Sequence, residues 1–314
     1  MFAGCGRWGF ADVPDAQWSA RDDGNDGSDD GGNDALIAPS LWAIAPAQPG
    51  VAADLWAAYA FSDTDRWVAG TSATVMHDEG SGWVAETNPA PSTLFGFWGA
   101  ANDLWLVGRT CTALRWQGVS WSSVTVPGCN GNQDFFNVDR SATNNIWLIG
   151  TSGTIAQWNG AWQDHSQTNM DFWDAAVASA TDVTVVGTAG TILHWNGSIF
   201  TAEPGAASVT LASITISAPG EYWVVGDAGT ILKKVGAGGW TQVASPTAAF
   251  LYHVLALSTT DVWAVGSGGV IIHYDGSAWT QVASPTTSTL RGLAVIPGAG
   301  LCAVGNSGLV LVHP

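Results

Sequence analysis

Hydrophobic positions along this chain fall in short runs. None keeps the helical period over a useful length, and the longest are about a strand long. One run recurs and ends in glycine: DRWVAG to Gly70, DLWLVG to Gly108, NIWLIG to Gly150, DVTVVG to Gly187, EYWVVG to Gly226, DVWAVG to Gly266 and GLCAVG to Gly305. The spacings are 38, 42, 37, 39, 40 and 39 residues. Seven units of about forty residues match the size of a four-stranded propeller blade.

Each unit reads alike. Strand a starts fifteen residues before the glycine, at Leu55, Phe135, Phe172, Leu211, Leu251 and Leu290, and one residue nearer in the second unit. Strand b is the glycine-terminated run. A turn of the type T-x-G-T leads to strand c. Asn159-Gly160, Asn196-Gly197 and Asp275-Gly276 then read as two-residue hairpin turns, where both positions take φ > 0. Strand d opens with Trp83, Trp121, Trp162, Trp240 or Trp279, and with Phe200 in the fourth unit. Strand b is apolar on both faces, as with Trp263 and Val265 against Val262 and Ala264. Such a strand needs a sheet on either side. The pattern predicts an all-β, seven-bladed β-propeller over residues 41–314.

The seventh unit stops after strand c, at His313-Pro314, while S-L-W-A-I-A-P at 40–46 resembles S-A-W-T-Q-V-A at 277–283. Residues 41–45 are therefore expected to supply strand d of the last blade, closing the ring and removing an exposed edge. Residues 1–40 fall outside the repeat. Their RDDGNDGSDDGGND stretch is acidic and low in complexity, and reads as a disordered tether.

The formal charge of −17 comes from 26 acidic and only nine basic residues. Nucleic acid and anionic membrane surfaces need clustered cations, so neither is an expected partner. No run approaches the roughly 20 apolar residues of a transmembrane helix. Met1-Phe2-Ala3-Gly4-Cys5-Gly6 resembles the end of a bacterial lipoprotein signal, although no basic or apolar stretch precedes it. Two readings stand side by side: lipidation at Cys5 with anchoring to a membrane, or an ordinary unstructured N-terminus. Cys302 sits at the strand-b tryptophan position and reads as a buried, inert thiol. Cys111 lies in the b–c turn of the second unit and Cys129 in the following d–a loop, which emerge on one face. A Cys111–Cys129 disulfide fits that placement and an extracytoplasmic protein. No cysteine or histidine spacing suggests zinc, and no metal or cofactor is expected.

His77, His194 and His273 each lie seven residues after a unit glycine. Being in different blades, they read as structural. Asp65, Asp103, Asp182 and Asp261, with Asn145 and Glu221, lie five residues before it and read as turn fasteners for backbone N–H groups. Fourteen of the nineteen tryptophans occupy strands b, c and d. On strand a, fourteen residues before the glycine, come Trp56, Phe136, Trp173, Ala212, Tyr252 and Arg291. This register is expected at the mouth of the central channel. A ring of aromatics there either plugs the channel or binds sugars, apolar side chains or a protein. Gln133, Asp134, Asp164, His165, Asp171 and Asp174 join the same face.

The unit DVWAVGSGGVIIHYDGSAWTQVASP followed by LRGLAVIP resembles the repeats of photosystem II stability/assembly factor-like proteins and of proteins with bacterial neuraminidase repeats. Tyr274 to Trp279, and Trp195-Asn196-Gly197, resemble degenerate Asp boxes. The resemblance implies the propeller fold and an envelope-associated protein that binds a partner. The chain departs from these relatives in two ways. Arg66, Arg109, Arg115, Arg140 and Arg291 form no triad of the sialidase kind, and the basic face of the assembly factors has no counterpart. The expected function is a non-enzymatic, monomeric binding or assembly scaffold of the cell envelope, with an unknown protein or glycan as partner. It would use Trp56, Phe136, Trp173, Asp174, Tyr252 and Arg291. One alternative is a glycan-binding or glycoside-hydrolysing propeller relying on Asp171, Asp174 and His165. Another is a purely structural surface protein.

Overall fold

The computed structural model describes residues 41–100, 102–142, 145–167, 170–205 and 207–314. The tail, with Cys5, lies outside them. The described residues form seven four-stranded antiparallel sheets. In the first blade, strand a is Leu55–Ser62, b is Asp65–Gly70, c is Val75–Asp78 and d is Trp83–Ala85. The other six a strands are Leu94–Ala100, Phe135–Ala142, Phe172–Ser179, Leu211–Ala218, Leu251–Ser258 and Leu290–Ile296. Each a strand touches the next, and the last touches the first, so the a strands ring a central channel.

The core follows from the two-sided apolarity of strand b. It divides into seven layers, each shared by two neighbouring blades. Trp67, Trp147 and Trp223 are each almost wholly buried there. The layer joining Ala294, Cys302 and Val304 to Leu55 and Val68 completes the circle. Burial in that layer pushes the Cys302 thiol up to about 12, which removes its thiolate reactivity.

Closure occurs as the sequence predicts. Ala43–Ile44 pairs with Val310–His313 as the outer strand of the seventh blade. Trp42 is buried beside Trp263 and His313, with ring centroids 5.7 and 5.1 Å away. Gln48 secures the joint, its Oε1 accepting the Val310 N–H at 2.9 Å and its Nε2 donating to the Val310 carbonyl at 2.9 Å.

The repeated glycine has a steric cause. The carbonyl of the residue just before strand a accepts the N–H just after the glycine in all seven blades, at 2.9–3.0 Å. It lies against the glycine Cα, so a Cβ on Gly70, Gly150 or Gly226 would sit far inside contact distance of the Asp54, Asp134 or Thr210 oxygen. The b–c turns have a similar constraint. Gly153, Gly190, Gly229, Gly269 and Gly308 take positive φ and pack against the carbonyl of a d–a loop. The second blade has Cys111 at that place, with φ 59°, and a Cys111–Cys129 disulfide spanning a Cα–Cα distance of 5.9 Å ties the loop to the turn instead.

The c–d hairpins differ from the expectation of two-residue turns. Tyr274 pairs with Trp279 and Trp195 with Phe200, leaving four-residue loops, and Trp158 pairs with Trp162 around three residues. Only the glycine of each Asx-Gly pair takes positive φ. The Asx side chain spans the longer loop: Asp275 Oδ1 accepts the N–H groups of Ser277 and Ala278 at 2.8 and 3.0 Å. Asn196 Oδ1 does the same for Ser198 and Ile199. The Ser277 hydroxyl and these amides hold the Asp275 carboxyl well below the usual carboxylate range.

Candidate binding site

Two registers repeat around the ring, one between strands b and c in six blades and one at the start of strand a in all seven. In the first, the residue five before the unit glycine meets the residue seven after it. The pairs are Asp65–His77 (2.9 Å), Asp103–Arg115 (2.6 Å), Asn145–Gln157 (2.7 Å), Asp182–His194 (3.0 Å), Glu221–Lys233 (3.0 Å) and Asp261–His273 (2.9 Å). The seventh blade has Gly300 and Val312 at these places and no pair. The acidic residues were expected to fasten backbone N–H groups. They instead accept from strand-c side chains, because residues two apart on strand b share a face and both confront the same strand-c residue. Thus Asp65 and Trp67 both meet His77, and Asp261 and Trp263 both meet His273. The imidazoles stack on those indoles with centroids 3.7 and 4.1 Å apart. The three histidines are structural, as their separation in sequence implies.

The second register is built by β-bulges. In every blade the a–b ladder slips after the first residue of strand a, so that Leu55 pairs with Gly70 and Ala57 with Ala69. The same slip occurs at Leu94/Gly96, Phe135/Asn137, Phe172/Asp174, Leu211/Ser213, Leu251/His253 and Leu290/Gly292. The extra residue is Trp56, Phe95, Phe136, Trp173, Ala212, Tyr252 or Arg291. A bulge bends the strand and redirects a side chain. Here the preceding residue is fully buried between blades in all seven cases, and the bulged residue lines the channel mouth.

The bulged side chains touch in sequence around the mouth. Trp56 meets Phe95 at 5.2 Å, Phe95 meets Phe136 at 5.0 Å, and Phe136 stacks on Trp173 at 4.8 Å. Arg291 lies 4.1 Å from the Trp56 ring and 5.1 Å from Tyr252. Its Nε donates to Asn306 Oδ1 at 2.9 Å, and its Nη2 is 4.0 Å from Asp54. Ala212, between Trp173 and Tyr252, interrupts the aromatic wall. All the mouth residues proposed from sequence come together. Phe95 is the one missed there. The second blade lacks the further slip that most blades have near the end of strand a, so counting back from its glycine lands one residue off. Counting forward from Leu94 finds it.

The space inside the mouth is about 80 Å³. One water needs roughly 10–15 Å³ of such space, while small-molecule pockets run to ~300–1,000 Å³. The space is that of a few waters or one side chain, well below a drug-sized pocket. Asp174 lines this space but is itself buried. Its Oδ1 accepts the Ala175 N–H, and its Oδ2 accepts the Ser213 hydroxyl and the Ile214 N–H of the next blade, all at 2.8 Å. Asp139 links blades likewise through the Val177 N–H. His165 lies away from the mouth, bonded to Gln157 at 3.0 Å and packed on Trp195 at 4.6 Å. Burial lowers its pKa, with Asp164 opposing. The buried indole N–H groups of Trp56 and Trp173 and the Asn137 Oδ1 have no hydrogen-bond partner. Among the described residues, no three His, Cys, Asp or Glu side chains gather as a metal site requires, and no helix is long and apolar enough to cross a membrane.

No protein-family model matches the sequence, and no curated protein does. Solved structures match over most of the chain, and they define the class as a seven-bladed β-propeller. YCF48 bound to D1 peptide superposes with a TM-score of 0.71 at 18% identity, covering 88% of this chain and 97% of that one. YCF48 from Cyanidioschyzon merolae gives 0.69 at 17% identity, covering 86% and 97%. The WD40 β-propeller domain of Doa1 gives 0.73 at 14% identity, covering 87% and 97%. At these identities the likeness is one of fold.

Proposed function

We propose that this chain is a non-enzymatic binding or assembly scaffold that docks its partner at the channel mouth formed by the seven bulged residues. One observation carries this reading. Every blade bulges at the same residue, and five of the seven residues so redirected are aromatic, with an arginine as a sixth. Such half-buried aromatic surface is the usual currency of recognition. A structurally similar propeller, YCF48, has been solved with a peptide bound, which supports a polypeptide partner. Glycoside hydrolysis is the weaker reading. Both Asp174 oxygens are engaged within the fold, Oδ2 holding the next blade, and His165 lies away from the mouth.

The setting belongs to the same proposal. The Cys111–Cys129 disulfide fits an oxidising compartment, and Cys5 would anchor the chain through its acidic tether. The test is affinity capture from the source organism's envelope fraction. The full chain is compared with a folded variant carrying Trp56→Ala, Trp173→Ala and Tyr252→Ala. A protein captured by the first and lost by the second is expected, and equal capture by both contradicts the proposal.

A further inference from the structure

Charge at the mouth narrows the partner's chemistry. Every lysine and arginine among the described residues lies within 4.0 Å of a carboxylate. Among the described residues, an anionic partner therefore finds no uncommitted cation. Carboxylates are in excess, and three of them, Asp54, Asp134 and Asp171, stand two residues before the bulged Trp56, Phe136 and Trp173. Each uses Oδ1 to accept an N–H from the preceding blade's b–c turn: Ser307 at 3.0 Å, Thr110 at 3.0 Å and Ser152 at 2.8 Å. Asp54 and Asp134 also face Arg291 and Arg109, whereas Asp171 has no cation within salt-bridge distance among the described residues. The rim is thus acidic above an aromatic wall, and the acidic excess is greatest beside Trp173.

The wall has one opening. Ala212 takes the place that an aromatic or an arginine takes in the other six blades. One face of Trp173 stacks on Phe136, and no ring covers the other. The Asp174 carboxylate and the buried Asn137 side chain, whose Oδ1 has no hydrogen-bond partner among the described residues, line the same cavity. Aromatic faces, a lone acceptor and a carboxylate suit a group that is cationic and donates hydrogen bonds. Arg291 shows the same ring holding a guanidinium against Trp56 and Tyr252.

We propose that the mouth binds an extended polypeptide through one lysine or arginine side chain, which enters over Ala212 between Trp173 and Tyr252. This rests on the mouth being the binding site. The test measures binding of the full chain to immobilised Gly/Ser peptides carrying lysine, arginine, glutamate or norleucine at the same places. Lysine and arginine peptides are expected to bind about 3- to 30-fold more tightly than the norleucine peptide, the range of one cation–π contact. Ala212→Trp fills the opening with a residue that Trp56 and Trp173 show this register accepts, and Trp173→Leu removes the wall. Each is expected to bring the lysine peptide down to the norleucine level.

A lysine peptide that does not bind, or that binds both variants as well as wild type, overturns the proposal. The second of these outcomes means that general attraction to an acidic protein suffices. Glutamate or norleucine peptides that match lysine and are lost in both variants overturn the cation but keep the mouth. Binding of every peptide untouched by either variant overturns both.

Discussion

The b–c pairs and the bulged mouth residues both repeat from blade to blade, yet they vary in opposite ways. In the pairs, one side changes with the other: Asp with His, Asp with Arg, Glu with Lys, Asn with Gln, and in the last blade both partners vanish together. At the mouth, Trp, Phe, Ala, Tyr and Arg follow one another with no partner changing in step. Matched variation marks a contact that each blade must keep for itself. Unmatched variation around a common opening is what the proposed binding surface calls for, since a partner would read it as a whole, from outside.

The sharpest way to break the comparison is to cut the pair whose acid also compensates a buried cation. Asp103 accepts from Arg115 and also from Arg140, whose guanidinium is buried 3.9 Å from the Trp98 ring. Burial lowers the Arg140 pKa, and Asp103 opposes the shift. Asp103→Ala leaves that cation uncompensated and is expected to cost about 3–5 kcal/mol, read from denaturant midpoints at constant slope. Trp147→Ala, at the centre of a layer between blades, is expected to cost a similar ~3–5 kcal/mol. Trp173→Ala, half-buried at the mouth, should cost clearly less on the same scale. An equal loss would mean that the mouth aromatics are a structural plug.

Asp261→Ala is milder. The carboxylate is 41% exposed, so the loss of its bonds to His273 and Trp263 is screened. About 1 kcal/mol or less is expected. The smallest effect is one of pH. Burial lowers the pKa values of His165 and His313. The unfolded chain therefore takes up their protons first as pH falls through about 6.5. Stability should be fully present above that pH and decline below it. His165→Phe should flatten the decline below about pH 6.5 without removing it, since His313 remains.

Most of the fold was legible because the repeat is long and its markers are steric. The unit glycine, the strand-a start points and the closing strand at Trp42 all follow from packing that each blade repeats. The hairpins were misread because Asp275 and Asn196 have two uses in a turn. Their side chains bridge a four-residue loop rather than their backbones taking positive φ. The acidic residues before strand b were assigned to backbone N–H groups because partners twelve residues apart meet only once the strand register is known. Phe95 was hidden by a single missing slip. The bulges themselves leave no mark in the sequence, so the register at the mouth was legible but its cause was not.

The most direct test sets the two registers against each other in one experiment. Wild type, Asp261→Ala and the Trp56/Trp173/Tyr252 alanine variant are compared for thermal stability and for capture of a partner from the envelope fraction. The pair variant should capture as wild type does while melting earlier. The mouth variant should lose capture while remaining folded. Loss of capture by the pair variant, with retention by the mouth variant, would contradict the account.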